Sequence, residues 1–280
     1  MGGDFADSAE FLKLAAGRED VDLVELMLEI SADRHPDLDR SSCRKEIARL
    51  GERARDAIAR LPNPRPLRRR LDCISRVLYR EEGFRGNDEH YYDPRNSYLN
   101  DVLERRTGIP ITMCIVYRAV AEAAGVPMYG VGTPGHFVLG CGDKGRRLYV
   151  DAFCSGVVLD WQQCRDEIET RLGQRGTLTK QDFRAATSAE IAARVLRNLK
   201  AVYASENEWA AALPVQRRLA LLLPDVASEG RDLGLILLRL GDPKGAARQF
   251  DGYLKVCSDE EGETMQPFVR NARRMIAEMN

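Results

Sequence analysis

Three residues near the middle of the chain have side chains able to do covalent chemistry together: Cys114, His136 and Asp151. A thiolate can attack an acyl carbon, an imidazole can hold the thiol's proton, and a carboxylate can fix the imidazole tautomer. Their order along the chain, thiol then base then carboxylate, suits such a relay only if the elements carrying them converge.

Those elements can be read from local signals. A helix opens with Gly108-Ile109-Pro110 and carries Cys114. A strand follows Pro134-Gly135 and begins at His136, and a second strand, residues 147–150, leads to Asp151. Between the strands lies one turn signal, Gly142-Asp143-Lys144-Gly145. A hairpin closed about Asp143 and Lys144 pairs Leu139 with Leu148, Phe137 with Val150 and His136 with Asp151. Opposed side chains in such a ladder stand about 5 Å apart at Cβ, close enough for the carboxylate to bond the imidazole.

The thiol is less well served. Proline suits the first helical position, so Pro110 places Cys114 more than one turn inside, where the helix dipole that lowers a thiol pKa has faded. Ile111, Met113, Ile115, Val116, Ala119, Val120 and Ala123 make this helix apolar nearly all round, the pattern of a buried helix. A cysteine in it is expected to act as a small apolar residue.

Residues 86–100 are polar and aromatic. Asp93-Pro94-Arg95-Asn96 has turn chemistry, with Asp and Asn able to bond nearby backbone and Pro fixing φ. Two expectations follow for Tyr92, Asp93, Arg95 and Asn96: a loop clamped by its own side chains, or a ligand-binding border to a groove near His136. His90 is expected to be a solvated loop residue, and His35, beside Pro36, a residue at a helix end.

The run YYDPRNSYLNDVLERRTGIPI, followed by GVPMYGVGTPGHFVLGC and LYVDAF, resembles the SirB-type family of transglutaminase-like proteins. The Cys, His, Asp chain order is also that of transglutaminase and papain-like thiol enzymes. The resemblance implies an α+β fold: a helical N-terminal region, a transglutaminase-like (papain-like) core with a small antiparallel sheet, and C-terminal tetratricopeptide-like helical repeats. It also implies that an active member starts its core helix with the nucleophile. Counting back along the helix from Gly125, that place falls on Pro110 rather than Cys114. The implied protein keeps His136 and Asp151, has lost the thiol from its working position, and binds rather than hydrolyses. The alternative is an active cysteine hydrolase or acyltransferase using Cys114, His136 and Asp151.

Composition removes several other classes. The 280 residues carry a formal net charge of −1, which gives no reason to expect a nucleic-acid or anionic-membrane partner. Arg68-Arg69-Arg70, between Leu67 and Leu71, reads as the solvated face of a helix. Seven cysteines show no framework spacing and no CxxC pair, as expected for free thiols in the cytoplasm. His136, Cys141, Cys154 and Cys164 lack zinc-finger spacing, so neither a metal nor another cofactor is expected. No apolar run approaches the roughly 20 residues that span a bilayer. Gly2 is not followed by Ser or Thr at position 6, where a myristoylation signal has one.

Taken in order, residues 1–86 read as helices, 87–172 as the α+β core, 173–187 as a linker and 188–280 as repeats. Cys43, Ile47, Leu50, Ala54, Ala57, Ile58 and Leu61 recur at helical steps, and Leu67, Leu71, Ile74, Val77 and Leu78 do so again. Val126–Val131 is expected to be a strand, Val157–Leu159 another, and Asp160 the cap of a helix over Trp161–Leu172. A shift of 34 aligns Tyr203 with Leu237, Ala212 with Ala246, Leu219 with Tyr253 and Leu222 with Val256. That period is the tetratricopeptide helix–turn–helix, whose stacked units present a concave surface for a protein or peptide partner.

Overall fold

The computed structural model describes residues 5–142 and 147–279. The chain forms two compact units: residues 1–13 with 18–195, and residues 14–17 with 196–280.

The first unit opens with α1 (Ala9–Ala15), α2 (Leu23–Ala32), α3 (Arg40–Ala59) and α4 (Leu67–Ser75), which widens into a π turn over Arg76–Glu81. Asp22 and Asp39 cap α2 and α3 by accepting backbone N–H bonds from Glu25 and Ser42. The two-residue strands β1 (Arg85–Gly86) and β2 (Thr107–Gly108) pair in parallel and flank α5 (Leu99–Arg105). Next comes α6 (Pro110–Ala123), with Pro110 at its first turn. Its burial follows from its composition: Ile111, Met113, Cys114, Val116, Tyr117 and Val120 are all enclosed. It packs closely on α3, where a Cβ on Gly51 would overlap the methyl of Ala123.

A four-stranded antiparallel meander follows, with β3 (Tyr129–Thr133), β4 (His136–Cys141), β5 (Leu148–Asp151) and β6 (Val157–Leu159) in that spatial order. The β4–β5 register differs from the sequence expectation. Leu139 pairs with Val150 and Cys141 with Leu148, two residues from the predicted alignment. A shift of two keeps each side chain on its own face, whereas a shift of one would have inverted them. Residues 143–146 of the expected turn lie outside the described residues. The β3 strand also lies further along than expected, because Gly135, at φ 67°, makes a tight turn that pairs Thr133 with His136.

Helix α7 (Trp161–Leu172) is capped reciprocally by Asp160 and Gln163 and ends at Gly173 in the left-handed region. The 173–187 stretch packs along the sheet. Phe183 and Leu178 join Val131, Val138, Tyr149 and Cys164 in one apolar cluster, and the Ala186 N–H bonds the Gly130 carbonyl.

Helix α8 (Ser188–Ser205) begins in the first unit and runs into the second, which holds α9 (Trp209–Leu222), α10 (Ala227–Arg239), α11 (Pro243–Tyr253) and α12 (Asp259–Glu278). The 34-residue shift holds at the backbone. Asn207 (φ 58°) and Gly241 (φ 79°) both take the left-handed conformation at the turn, and α9 and α11 both start two residues later. Ala212 and Ala246 are fully buried, as are Tyr203 and Leu219, and their counterparts 34 residues on, Leu237 and Tyr253, are buried too. The pairing of Leu222 with Val256 fails: α11 stops at Tyr253 and leaves Val256 exposed. Glu229 is a buried carboxylate held by Arg197, Lys200 and the Gln216 amide. Among the described residues no helix is long and apolar enough to cross a membrane.

Candidate functional site

His136 starts β4 and Asp151 ends β5, and both are buried, at 4% and 2% exposure. The imidazole Nε2–H donates to Asp151 Oδ2 at 2.8 Å. The two residues are not opposed in the ladder, so the contact runs diagonally across the end of the hairpin, within reach of an imidazole. Asp151 is braced on its other side as well. Its Oδ1 accepts the N–H groups of Phe153 and Cys154, each at 3.0 Å, and Arg171 approaches Oδ2 at 3.4 Å. Burial alone would raise this carboxyl. The His136 hydrogen bond and charge, with the backbone donors and Arg171, reverse that and hold it below its usual value. An ionised Asp151 fixes the proton on Nε2 and leaves the lone pair on Nδ1, which has no hydrogen-bond partner among the described residues. This is an oriented base with one nitrogen to spare.

Cys114 is placed differently. It sits at the fifth position of α6, is 0% exposed, and donates its thiol to the Phe137 carbonyl at 3.5 Å. That acceptor is the main chain beside the imidazole-bearing residue, and not the imidazole itself. Burial pushes the thiol well above its ordinary value, and the Asp151 charge pushes it the same way. A thiol that resists ionisation is a poor nucleophile. Helix entry explains the position: Thr112 Oγ1 accepts the Ile109 N–H and donates to the Asn96 carbonyl, fixing Pro110 at the mouth of the helix and Cys114 a turn below it.

The DPRN turn is a self-clamped loop. Asn96 is fully buried, accepts from the Asn87 amide, and donates to the His90 and Tyr91 carbonyls. Asp93 accepts the Arg95 N–H and guanidinium and pairs with Arg105 at 3.2 Å. Arg95 is exposed, and Tyr92 stands 72% exposed at the tip with its ring against Tyr91, which in turn packs edge-on to Phe153. His90 is exposed, as expected. His35 is held more firmly than a helix-end residue need be, bonding Asp101 at 3.0 Å.

Three neighbours of the pair were not singled out from the sequence. Arg171, in the last turn of α7, donates to both Asp151 and the half-buried Cys154 sulfur. Arg194, on α8, bonds the Thr133 carbonyl and lies over the Phe137 ring at 5.6 Å. Tyr79 donates to the Ala152 carbonyl next to Asp151. Each comes from a different element, and no spacing along the chain connects them. Among the described residues no group of His, Cys, Asp and Glu has the arrangement of a metal site.

Comparison with known proteins shows the family. Residues 41–197 match the family described as the transglutaminase-like superfamily, and residues 199–279 match the tetratricopeptide repeat. The chain is 34% identical over 241 residues to a UPF0162 protein of Xylella fastidiosa (strain 9a5c), covering 85% of each chain. It is 26% identical over 246 residues to a UPF0162 protein of Vibrio cholerae serotype O1, covering 86% of this chain and 90% of that one. A stretch of 115 residues is 43% identical to F-box only protein 21 of Mus musculus, 38% of this chain and 18% of the other. No solved structure matches the chain significantly.

Proposed function

The chain belongs to the transglutaminase-like superfamily, with tetratricopeptide repeats after its core, and from that premise we propose that it is a non-catalytic binding protein. The observation that carries this reading is the state of Cys114: fully enclosed, bonded to a main-chain carbonyl, and raised in pKa where a nucleophile needs lowering. The His136–Asp151 pair then serves as an oriented acceptor at Nδ1, with Tyr92 and its neighbours in the loop as the ligand-facing border. A protein or peptide docks on the repeats, the usual role of such units. No cofactor takes part. The proposed site of action is the cytoplasm, which suits seven thiols without framework spacing.

The test is adduct mapping by mass spectrometry with a small electrophile such as iodoacetamide at neutral pH. The expected result is no adduct on Cys114 in the native protein and full labelling after denaturation. Stoichiometric native labelling of Cys114 that disappears in His136→Ala would overturn the reading. It would instead establish the second one, an acyl-transferring thiol enzyme using Cys114, His136 and Asp151, which the preserved dyad favours. Capture of partners from lysate is expected to depend on residues 188–280.

A further inference from the structure

Away from the His136–Asp151 pair, the stretch from the end of α3 to the start of α4 carries Arg55, Arg60, Arg65, Arg68, Arg69 and Arg70, with Asp56 as the sole carboxylate among them. Three of these arginines, Arg55, Arg65 and Arg70, line one hollow of about 310 Å³, together with Ile58, Ala59 and Ala124. Among the described residues no carboxylate lines it. Asp56 and Asp72, the nearest acids along the chain, form no ion pair among the described residues, and neither do the three arginines.

Each guanidinium is held in place by main-chain carbonyls at helix ends. Arg65 donates to the Leu61 carbonyl at 3.2 Å and the Ala59 carbonyl at 2.9 Å, at the end of α3. Arg70 donates to the Gly125 carbonyl at 2.6 Å and Arg55 to the Ala123 carbonyl, both at the end of α6. Capping of this kind is favourable for any one arginine. It does not explain why three converge on one hollow, since unpaired like charges repel one another and a single cation suffices for each helix end. A guanidinium carries five N–H donors in a fixed fork, and these caps use one or two of them. The remaining donors of these three lining residues have no acceptor among the described residues.

We propose that Arg55, Arg65 and Arg70 form an oxyanion site for a phosphate-class dianion. A carboxylate offers two oxygens, which one fork saturates. A phosphoryl group offers three or more oxygens and two charges, matching three forks, and the three guanidinium charges have to outweigh the carbonyl ends of α3 and α6 beside them. The proposal does not depend on whether Cys114 reacts, because the hollow shares no residue with the His136–Asp151 pair.

Isothermal titration at fixed ionic strength, with inorganic phosphate and with O-phosphoserine as separate probes, tests it on the full chain. Saturable one-to-one binding is expected, weakened about tenfold or more in Arg70→Gln, because a hydrogen-bonded charge pair is removed. Arg70→Lys keeps the charge and a donor for Gly125 but loses the fork, so it should bind more weakly than the parent and more tightly than Arg70→Gln. It also carries the test, with Arg55→Gln, if Arg70→Gln does not fold by circular dichroism. Arg118→Gln, outside the hollow, should bind as the parent does. Preference for phosphoserine would identify a phosphoester as the source, and equal or better binding of inorganic phosphate would identify the free ion. Absence of saturable binding by both probes, or equal affinity in the hollow variants and the parent, would overturn the proposal.

Discussion

Asp151 accepts bonds from an imidazole, two backbone amides and a guanidinium while almost wholly out of water. Asp151→Ala strands the imidazole and the two backbone amides, and should cost about 3 kcal/mol or more in chemical denaturation, the range for breaking a buried charged network. A change under about 0.5 kcal/mol, the range of an ordinary surface substitution, would show that the pair is not held as described. The folded-state pKa of Asp151 lies below its unfolded value, so its contribution is present above the unfolded value and is lost as pH falls through the lower, folded one. Thiol chemistry supplies a second check at this scale. Cys154 and Cys257 are half-buried and Cys114 is enclosed, so alkylation of the native protein should reach the first two well before Cys114. Simultaneous labelling of all three would count against the buried position.

Two elements depend on close approach and on a clamp. Gly51 on α3 meets the Ala123 methyl of α6, so Gly51→Ala has to push the helices apart, with an expected cost of about 1–3 kcal/mol read from the denaturation midpoint. A neutral or stabilising result, as Ala's helix propensity alone would give, would contradict the packing. The loop before α5 is tied by Asn96, whose side chain joins Asn87, His90 and Tyr91. Asn96→Ala should cost about 2 kcal/mol, since it leaves the buried Asn87 amide and two part-buried carbonyls unpaired. It should also speed amide exchange over residues 87–97. Unchanged exchange there would mean that the loop is held by something else.

Charge and core act on the molecule as a whole. Arg49 and Arg106 hold Glu46 at about 2 in the folded protein against 4.5 in the reference state. Its stabilisation is therefore complete above about pH 4.5 and lost as pH falls toward 2, and Glu46→Gln should flatten the stability profile in that window. An unaltered acid limb in the variant would refute the assignment. In the repeat unit, Phe250 is fully enclosed by Leu233, Leu237, Met265 and their neighbours. Phe250→Ala should cost about 3–5 kcal/mol. Loss of helical circular dichroism at a lower temperature would report it, and an unshifted transition would argue that the repeat core is packed differently.

Much of this was legible in the residues alone. Proline at a helix start, the turn signal between two apolar runs, and the 34-residue period specify local conformations whose causes lie within a few positions, so α6, the hairpin and the repeats are readable, including the burial of Cys114. The resemblance carried the fold class, which the family matches bear out. The hairpin register differs by two residues from the symmetric closure because a turn of polar residues and glycines allows several closures of the same facing. Tertiary structure alone brought Arg171 to Asp151, Arg194 over Phe137 and three arginines around one hollow. Those contacts join residues far apart in the chain, and which of them form is decided by how helices and sheet pack, not by any local preference.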